Sequence, residues 1–104
     1  MSTFPDRVRR LPAFGGHFDA FQLTAQGCDV LFASYPAGTQ IDPHTHPTEN
    51  YGIVTKGELI LELEGSERRY GLGEWYHIPV EAEHGARFEV ETGTIELWFE
   101  PETS

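Results

Sequence analysis

Two histidines stand two residues apart in the first half of the sequence, and imidazole is a common ligand of transition metals. On an extended strand, side chains at this spacing point to the same side, so His44 and His46 can converge on one ion. Pro43 and Pro47 flank the pair, and proline is confined to the ends, edges and bulges of strands. The pair is therefore predicted at a strand mouth or bulge that opens to solvent. The alternative is a loop that exposes two surface histidines.

A third histidine lies in a segment that alternates between apolar and polar residues. His84 has the same parity as Ala86, Phe88 and Val90, so its imidazole is expected to point into the core. A buried imidazole needs a polar partner or a metal, and a lone inward histidine is more often satisfied within the protein. Together with the other two histidines, however, His84 favours a site for one divalent transition metal. Three imidazoles suit Fe, Mn, Ni, Cu or Zn, and the sequence does not choose among them.

Short strands that bury one face are predicted to position these histidines. Two segments, 58–64 and 95–100, each place three large apolar residues opposite glutamates, which is typical of antiparallel strands lying on a core. The apolar residues are Leu59, Leu61 and Leu63 in the first segment and Ile95, Leu97 and Phe99 in the second. Strands are expected at 17–24, 28–35, 50–56, 59–63, 67–71, 74–78, 84–91 and 95–100.

Turn residues separate these runs at the places where hairpins need them. The turns are expected at Lys56-Gly57, Gly65-Ser66, Thr92-Gly93 and between Gly71 and Gly73. About eight short antiparallel strands predict an all-β fold, a single small antiparallel β-barrel or jelly roll. The length of 104 residues corresponds to one domain, 1–104, with an irregular N-terminal arm at 1–16 and the barrel at 17–100.

The segment from Gly38 to Gly57 resembles the first motif of the cupin superfamily. That motif reads Gly, five residues, His-x-His, three or four residues, Glu, six residues, Gly. Gly38, His44, His46 and Gly57 match it, and Asn50 stands where the family usually has glutamate.

A second segment resembles the second cupin motif, which reads Gly, five residues, Pro-x-Gly, two residues, His, three residues, Asn. Gly73, Pro79 and His84 match it, while Glu81 replaces the family's glycine and Phe88 its terminal asparagine. The resemblance covers residues 38–88 and implies a small single-domain cupin with one mononuclear metal site. It carries the family's ligands onto His44, His46 and His84, and onto Asn50 at the fourth position.

Two neighbouring residues compete for that fourth position. A carboxylate binds a divalent cation better than an amide, which favours Glu49. Asn50 shares parity with His44 and His46, which favours Asn50 on an extended strand, and the family spacing agrees. A bulge at Pro47 would shift the register by one residue and bring Glu49 inward. Asn50 is the preferred assignment, as a weak ligand or as a donor to a metal-bound water.

Three further residues are candidates for catalytic roles. Glu49 is either an acid or base near the metal or a solvated turn residue, and His77 either lines the pocket or is an ordinary strand histidine. Tyr51 is either a core aromatic or part of the wall of the ligand cavity.

Cupins include dioxygenases, isomerases, epimerases, decarboxylases, lyases, storage proteins and sugar-sensing domains. With Asn50 as the fourth ligand, the protein ligands are all neutral, so the ion keeps its full +2 charge and suits a carboxylate or an enolate. We therefore expect an enzyme acting on a small organic acid, keto-sugar or enolisable compound, either a dioxygenase or an isomerase or lyase. The alternatives are a non-catalytic binding or sensing cupin and a barrel whose metal site is degenerate.

The composition limits the classes of partner that the protein is expected to bind. The formal charge is −10, with 17 acidic against 7 basic residues, which disfavours nucleic acid and anionic membrane surfaces. No apolar run approaches the ~20 residues that cross a bilayer. Cys28 is the single cysteine, so an internal disulfide is impossible and a reducing cytoplasm is the expected compartment.

A homodimer is also predicted. Trp98 shares the parity of Glu96, and Ile60 shares that of Glu58 and Glu62. Large apolar residues on a polar face suggest a patch that a partner covers, although single exposed apolar residues are common. The resemblance supports the dimer as well, since cupins commonly pair through their sheets and exchanged N-terminal strands.

Overall fold

The computed structural model of the protein describes residues 4–15 and 19–100. In these residues the chain forms one short helix and nine strands. They are α1 (Asp6–Arg9), β1 (Asp19–Ala25), β2 (Cys28–Tyr35), β3 (Gln40–His44), β4 (Glu49–Lys56), β5 (Leu59–Leu63), β6 (Ser66–Tyr70), β7 (Trp75–Ile78), β8 (His84–Arg87) and β9 (Thr92–Phe99).

The strands build two antiparallel sheets that share one core. The larger sheet has the order β1-β2-β9-β4-β7, and the smaller has the order β3-β8-β5-β6. Buried apolar side chains from both sheets meet between them, among them Ala33 and Val54 from the larger sheet and Leu59 and Leu61 from the smaller. The predicted all-β barrel or jelly roll is therefore confirmed.

Strand positions follow the predicted pattern, with three differences. The strand predicted at 84–91 ends at Arg87, and Val90, which was expected on the inner face, is 49% exposed. The strand Gln40–His44 was not predicted, because it contains a proline and its residues are mostly exposed. The turn predicted at Thr92-Gly93 is wrong, since both residues belong to β9 and are buried. The glycine turns at Gly57 and Gly65 are confirmed, and both glycines have the positive φ that such turns require. The predicted boundary between arm and barrel at 16/17, like the start of the first predicted strand at residue 17, lies outside the described residues.

The predicted inner face is right for β5 and β8 and wrong for β9. Leu59 and Leu61 are buried in the core, as the alternation predicted. In β9, however, Thr94 and Glu96 are the buried residues, whereas Phe99 is exposed on the opposite face. The error arises because alternation shows which residues share a face but does not show which face is inside.

The outer face of the larger sheet is apolar. Register partners on adjacent strands share a face, and one row across four strands holds Leu23, Val30, Leu97 and Tyr51. A neighbouring row holds Phe21, Phe32, Ile95, Ile53 and Trp75 across all five strands. The sequence argument for a covered patch placed Trp98 and Ile60 on outer faces, and both placements are wrong. Trp98 lines the interior, and Ile60 is only 1% exposed within the chain itself.

The described part of the N-terminal arm, residues 4–15, lies against the larger sheet. Ala13 forms an isolated antiparallel bridge with Phe21, and the ring of Phe4 meets that of Phe32 edge-on at 5.7 Å between centroids. The arm thus covers part of the apolar outer face near β1 and β2. No helix in the described residues has the length and apolar character to cross a membrane.

Candidate metal centre

The three predicted histidines meet at one point between two segments of the smaller sheet. His44 ends β3, His84 begins β8, and the two are register partners. The register shifts between Ile41 and His44, so the predicted bulge or strand mouth at this place is observed. His46 follows two residues later, and ligand nitrogens of the three rings lie within 4.8 Å of one another. The three histidines can therefore hold a metal ion.

Each imidazole is held by a backbone carbonyl at Nδ1. His44 Nδ1 lies 2.9 Å from the carbonyl oxygen of Asp42, and His84 Nδ1 lies 2.9 Å from that of Ala82. His46 Nδ1 lies 3.0 Å from the carbonyl oxygen of Thr48. A carbonyl only accepts hydrogen bonds, so each Nδ1 donates, and in the neutral imidazole Nε2 is then the nitrogen with the lone pair that can bind a metal.

The chemistry of this donor set fits a divalent transition metal. His46 Nε2 is buried without a hydrogen-bond partner, which is costly unless something binds there. Burial lowers the pKa of His46 and of His84, which favours the neutral imidazole that coordinates metals. The three imidazoles fit divalent transition metals as a class and do not select one element.

The turn between β7 and β8 supports the His46 segment. Glu81 occupies the position of the family's glycine and has a left-handed backbone with φ of 60°. Its backbone N–H donates to the carbonyl of His46 at 3.0 Å. Glu81 therefore holds a left-handed conformation that glycine would adopt at lower cost.

Asn50 and Glu49 lie on opposite faces of β4. Asn50 is 1% exposed and lines the cavity beside the histidines, and its Nδ2 donates to the carbonyl of Leu97 at 3.3 Å. With the amide nitrogen held there, the amide oxygen is the atom that Asn50 can offer to the cavity. Glu49 accepts a hydrogen bond from Tyr51 and pairs with His77 outside it.

This arrangement predicts how metal affinity responds to changes at both positions. Asn50→Glu is expected to raise the affinity roughly tenfold, or about 1.4 kcal/mol, because it adds a charged ligand to a neutral set. Glu49→Gln is expected to leave it nearly unchanged, because this side chain faces away from the histidines. Competition titration against a chromogenic chelator measures both. A large loss of metal in Glu49→Gln, with no effect of Asn50→Ala, would contradict the assignment.

Behind the histidines lies a cavity of about 420 Å³ between the two sheets. Its walls are mostly apolar and include Leu59, Leu61, Ile78 and Phe88. Among the described residues that line it, none is lysine or arginine. The space is large enough for a small organic molecule, and its polar groups are few.

One polar group in the cavity was missed by the sequence reasoning. Glu96 was assigned to an outer face, but it is 3% exposed and lines the cavity. Its Oε2 accepts hydrogen bonds from Tyr35 Oη at 2.5 Å and Thr94 Oγ1 at 2.8 Å, and its Oε1 accepts one from Trp98 Nε1 at 3.1 Å. Burial raises the pKa of this carboxyl. Parity places Glu96 on the same face of β9 as Trp98, but parity alone does not show that this face is the inner one.

The other predicted catalytic candidates are brought together outside the cavity. His77 Nε2 lies 2.7 Å from Glu49 Oε2, and the rings of Tyr51 and His77 stack at 4.3 Å between centroids. Glu49, Tyr51 and His77 therefore form one cluster on the outer face of the larger sheet, and none of them is among the residues that line the cavity.

Comparison with known proteins places this geometry in a family. A family model described as a cupin domain matches residues 31–100. The H2HPP isomerase of Bacillus subtilis is 31% identical over 70 residues, which are 66% of this chain but only 30% of that protein. The chain thus spans less than a third of the length of this curated relative.

Solved structures share the fold at low sequence identity. An RmlC-like cupin from Shewanella frigidimarina superposes with a TM-score of 0.79 and 17% identity, covering 94% of this chain and 88% of that one. KdgF from Halomonas sp. superposes with a TM-score of 0.77 and 22% identity, covering 100% and 96%. Since the family model spans more than half of the sequence, the chain belongs to the family of cupin domains.

Proposed function

We propose that the protein is a metal-dependent isomerase or lyase that acts on a small enolisable organic acid. The observation that carries the proposal is the convergence of three imidazoles, His44, His46 and His84, beside a largely apolar cavity that opens to solvent. When bound there beside Asn50, a divalent ion would supply a full +2 charge, which stabilises negative charge on a carboxylate or an enolate oxygen.

The cavity narrows the class of substrate. Since no lysine or arginine lines it among the described residues, a metal bound by the histidines would be its strong cationic group. This favours a molecule with one anionic group over a phosphorylated or multiply charged one. The apolar walls formed by Leu59, Leu61, Ile78 and Phe88 favour an aliphatic or aromatic remainder over the many hydroxyl groups of a sugar.

The comparison supports the isomerase alternative over the dioxygenase alternative. The curated relative, 31% identical over 70 residues, is named an isomerase. Because the chain covers only 30% of that protein, its reaction and substrate are carried to this chain as a proposal alone.

The reducing cytoplasm stays the proposed compartment, in keeping with the single cysteine, Cys28.

Binding and turnover of 2-oxo acids test this function. Protein loaded with Co(II) is titrated with 4-methyl-2-oxopentanoate and with phenylpyruvate while the visible absorption of the metal is followed. In D₂O, proton NMR then follows the exchange of the hydrogens next to the carbonyl. We expect a spectral change on titration and an exchange rate above that of the same metal in buffer.

Three other results separate the alternatives. Oxygen uptake by Fe(II)-loaded protein in proportion to the added acid would indicate a dioxygenase. Binding without exchange would indicate a binding or sensing module. Absence of Co(II) binding would contradict a functional metal site, and His44→Ala serves as the metal-deficient control.

We also propose that the protein is a homodimer that pairs through the outer face of the larger sheet. Leu23 is 46% exposed, Trp75 57% and Phe99 37% on this face, and such a contiguous apolar surface is unusual for a monomer. A second copy of the same sheet offers a matching apolar surface, as an interface with twofold symmetry requires.

Light scattering tests the dimer. We expect about twice the chain mass of 11.7 kDa at high micromolar concentration. Leu23→Glu is expected to give monomer, because it places a charge in the apolar face without touching the core. Leu72→Glu is the matched control, since Leu72 is 73% exposed in the turn between β6 and β7. A wild-type monomer, or a dimer that survives Leu23→Glu, would contradict this interface.

A further inference from the structure

We propose that Glu96 is the catalytic base of the reaction and carries the substrate's proton from one carbon to another. The proposal rests on the proposed function, since it names the residue that would move the proton in the same cavity. It identifies a role for a buried carboxyl group that coordination of a metal by the histidines does not explain.

Glu96 is placed to face a molecule bound at the histidines. It lines the same cavity, and the indole of Trp98 contacts it through Nε1 while the Trp98 ring lies 4.8 Å from the ring of His46 between centroids. Glu96 is thus separated from the metal centre by a single side chain. Along β9 it lies two residues from Trp98, a distance of about 7 Å at the usual rise of a strand.

The hydrogen bonds of Glu96 leave it able to take one more proton. A carboxylate has about four acceptor positions. Tyr35 and Thr94 occupy two on Oε2, and Trp98 occupies one on Oε1. All three partners donate, and no salt bridge of Glu96 is found within the described residues. The remaining position on Oε1 is therefore where a proton can be accepted.

The groups around Glu96 hold its carboxyl group in place, and none of them competes with it as the catalytic base. The ring of Tyr35 stacks on Phe88 at 4.1 Å between centroids, which fixes the strongest donor. Burial holds the pKa of Tyr35 and of Tyr76 well above the usual value, so both phenols stay protonated. Asp42, the other carboxylate in the lining, is exposed at the mouth, and its backbone carbonyl holds His44.

The step balances without an oxidant or a reductant. The carboxylate of Glu96 takes a proton from the carbon next to the carbonyl, so the C–H bond breaks, an O–H bond forms on Glu96, and the electron pair moves into an enolate. In a substrate with a carbon–carbon double bond next to that carbon, the electron pair spreads over a dienolate, and Glu96 returns the proton to its far carbon, so the double bond shifts and the carboxylate is regenerated. In a simple 2-oxo acid the proton returns to the same carbon, which appears as hydrogen exchange. Burial raises the pKa of Glu96 towards the pH at which such a group both accepts and releases a proton efficiently.

Glu96→Gln tests the proposal in the exchange assay with Co(II)-loaded protein and phenylpyruvate. The amide has nearly the same shape but cannot act as a base, so we expect the exchange rate to fall about 100-fold or more. Binding of Co(II) and the spectral change on adding phenylpyruvate should persist. An exchange rate equal to that of the wild type would overturn the role of Glu96 and leave the proposed function standing. Failure of the wild-type protein to bind Co(II) or to exchange either acid would overturn both.

The unfolding of the metal-free protein gives a readout independent of activity. Because the folded-state pKa of Glu96 is raised, its contribution to stability is full below the ordinary carboxyl pKa and is lost as the pH rises through the folded value. The difference in unfolding free energy between wild type and Glu96→Gln should therefore fall across this window. The groups that face Glu96 are Tyr35, Tyr76, Thr94 and Trp98, none of which changes charge there. A difference that rises with pH would contradict the raised pKa on which the base depends.

Tyr35→Phe keeps the proposal testable if Glu96→Gln does not fold. Removing this hydrogen-bond donor withdraws support from the carboxylate, so the pKa of Glu96 rises further. We expect the acidic limb of the exchange-rate profile to move to higher pH in Tyr35→Phe. An acidic limb at the wild-type position would overturn the proposal.

Discussion

His84→Ala and His44→Ala are each expected to lower the affinity for a divalent transition metal more than about 100-fold. Changes to the groups that merely support a metal ligand already cost about 10–100-fold, and these variants remove a ligand itself. The wild-type protein should hold close to one metal per chain, measured by elemental analysis after dialysis. The fold should survive, because His44 is exposed and His84 lies beside an existing cavity.

His77→Ala is the matched control for this experiment. It removes the same kind of side chain from the outer face, where His77 pairs with Glu49. We expect its metal content to equal that of the wild type. Full occupancy in both His44→Ala and His84→Ala would show that the histidines are not the site.

Gly52→Ala is expected to lower the free energy of unfolding by about 3 kcal/mol. A Cβ at this position would lie 2.1 Å from Cζ of Tyr76, well inside van der Waals contact. Tyr76 is 5% exposed and packs beside Tyr70, so its ring cannot move without disturbing the core. The change in urea midpoint of the metal-free protein measures the effect.

A second glycine in the same barrel provides the comparison. In Gly71→Ala the new Cβ would meet only Oε1 of Glu74 at 3.6 Å, an ordinary contact, so the change should stay within about 0.5 kcal/mol. In Gly52→Ala combined with Tyr76→Leu, the loss should be smaller than the sum of the two single losses, because both changes act on one contact. Equal midpoints for Gly52→Ala and Gly71→Ala would contradict the close packing of Tyr76.

Local alternation was enough to predict the direction in which each histidine points, whereas the meeting of His84 with the other two depends on the pairing of β3 with β8. The parity of His44 and His46 and the inward parity of His84 depend only on the period of a strand, which is the same wherever the strand lies. For the same reason, parity separated Asn50 from Glu49 along one strand. Each of these parities is set by a few residues within one strand.

The burial of Glu96 required knowledge of the whole sheet. Its strand alternates large apolar residues with polar ones, and in a protein with a filled core the apolar row would point inward. Here a cavity takes the place of a filled core, so the inner row carries Thr94, Glu96 and Trp98. The apolar row lies on the outer face, with apolar residues from four other strands. The sequence of a single strand does not contain that information.

The missed strand and the wrong turn have a similar cause. Gln40–His44 is short, exposed and interrupted by a register shift, so nothing in its composition marks it as a strand. Thr92 and Gly93 look like a turn, but the hydroxyl of Thr92 accepts from the backbone N–H of Glu58 and shares its one proton between the carbonyls of Glu58 and Val90, which fixes the start of β9. Both depend on contacts with distant segments.

The central position of β9 leaves it little freedom to vary. Its inner row, with Glu96 and Trp98, faces the cavity, and its outer row, with Ile95 and Leu97, forms part of the apolar outer face of the sheet. Deleting a single residue would exchange the two rows, placing leucine in the cavity and glutamate outside. The edge strand β6, exposed along Ser66–Arg69, carries no such double constraint. A one-residue deletion is therefore expected to unfold the barrel when it falls in β9 and to be tolerated far better in β6.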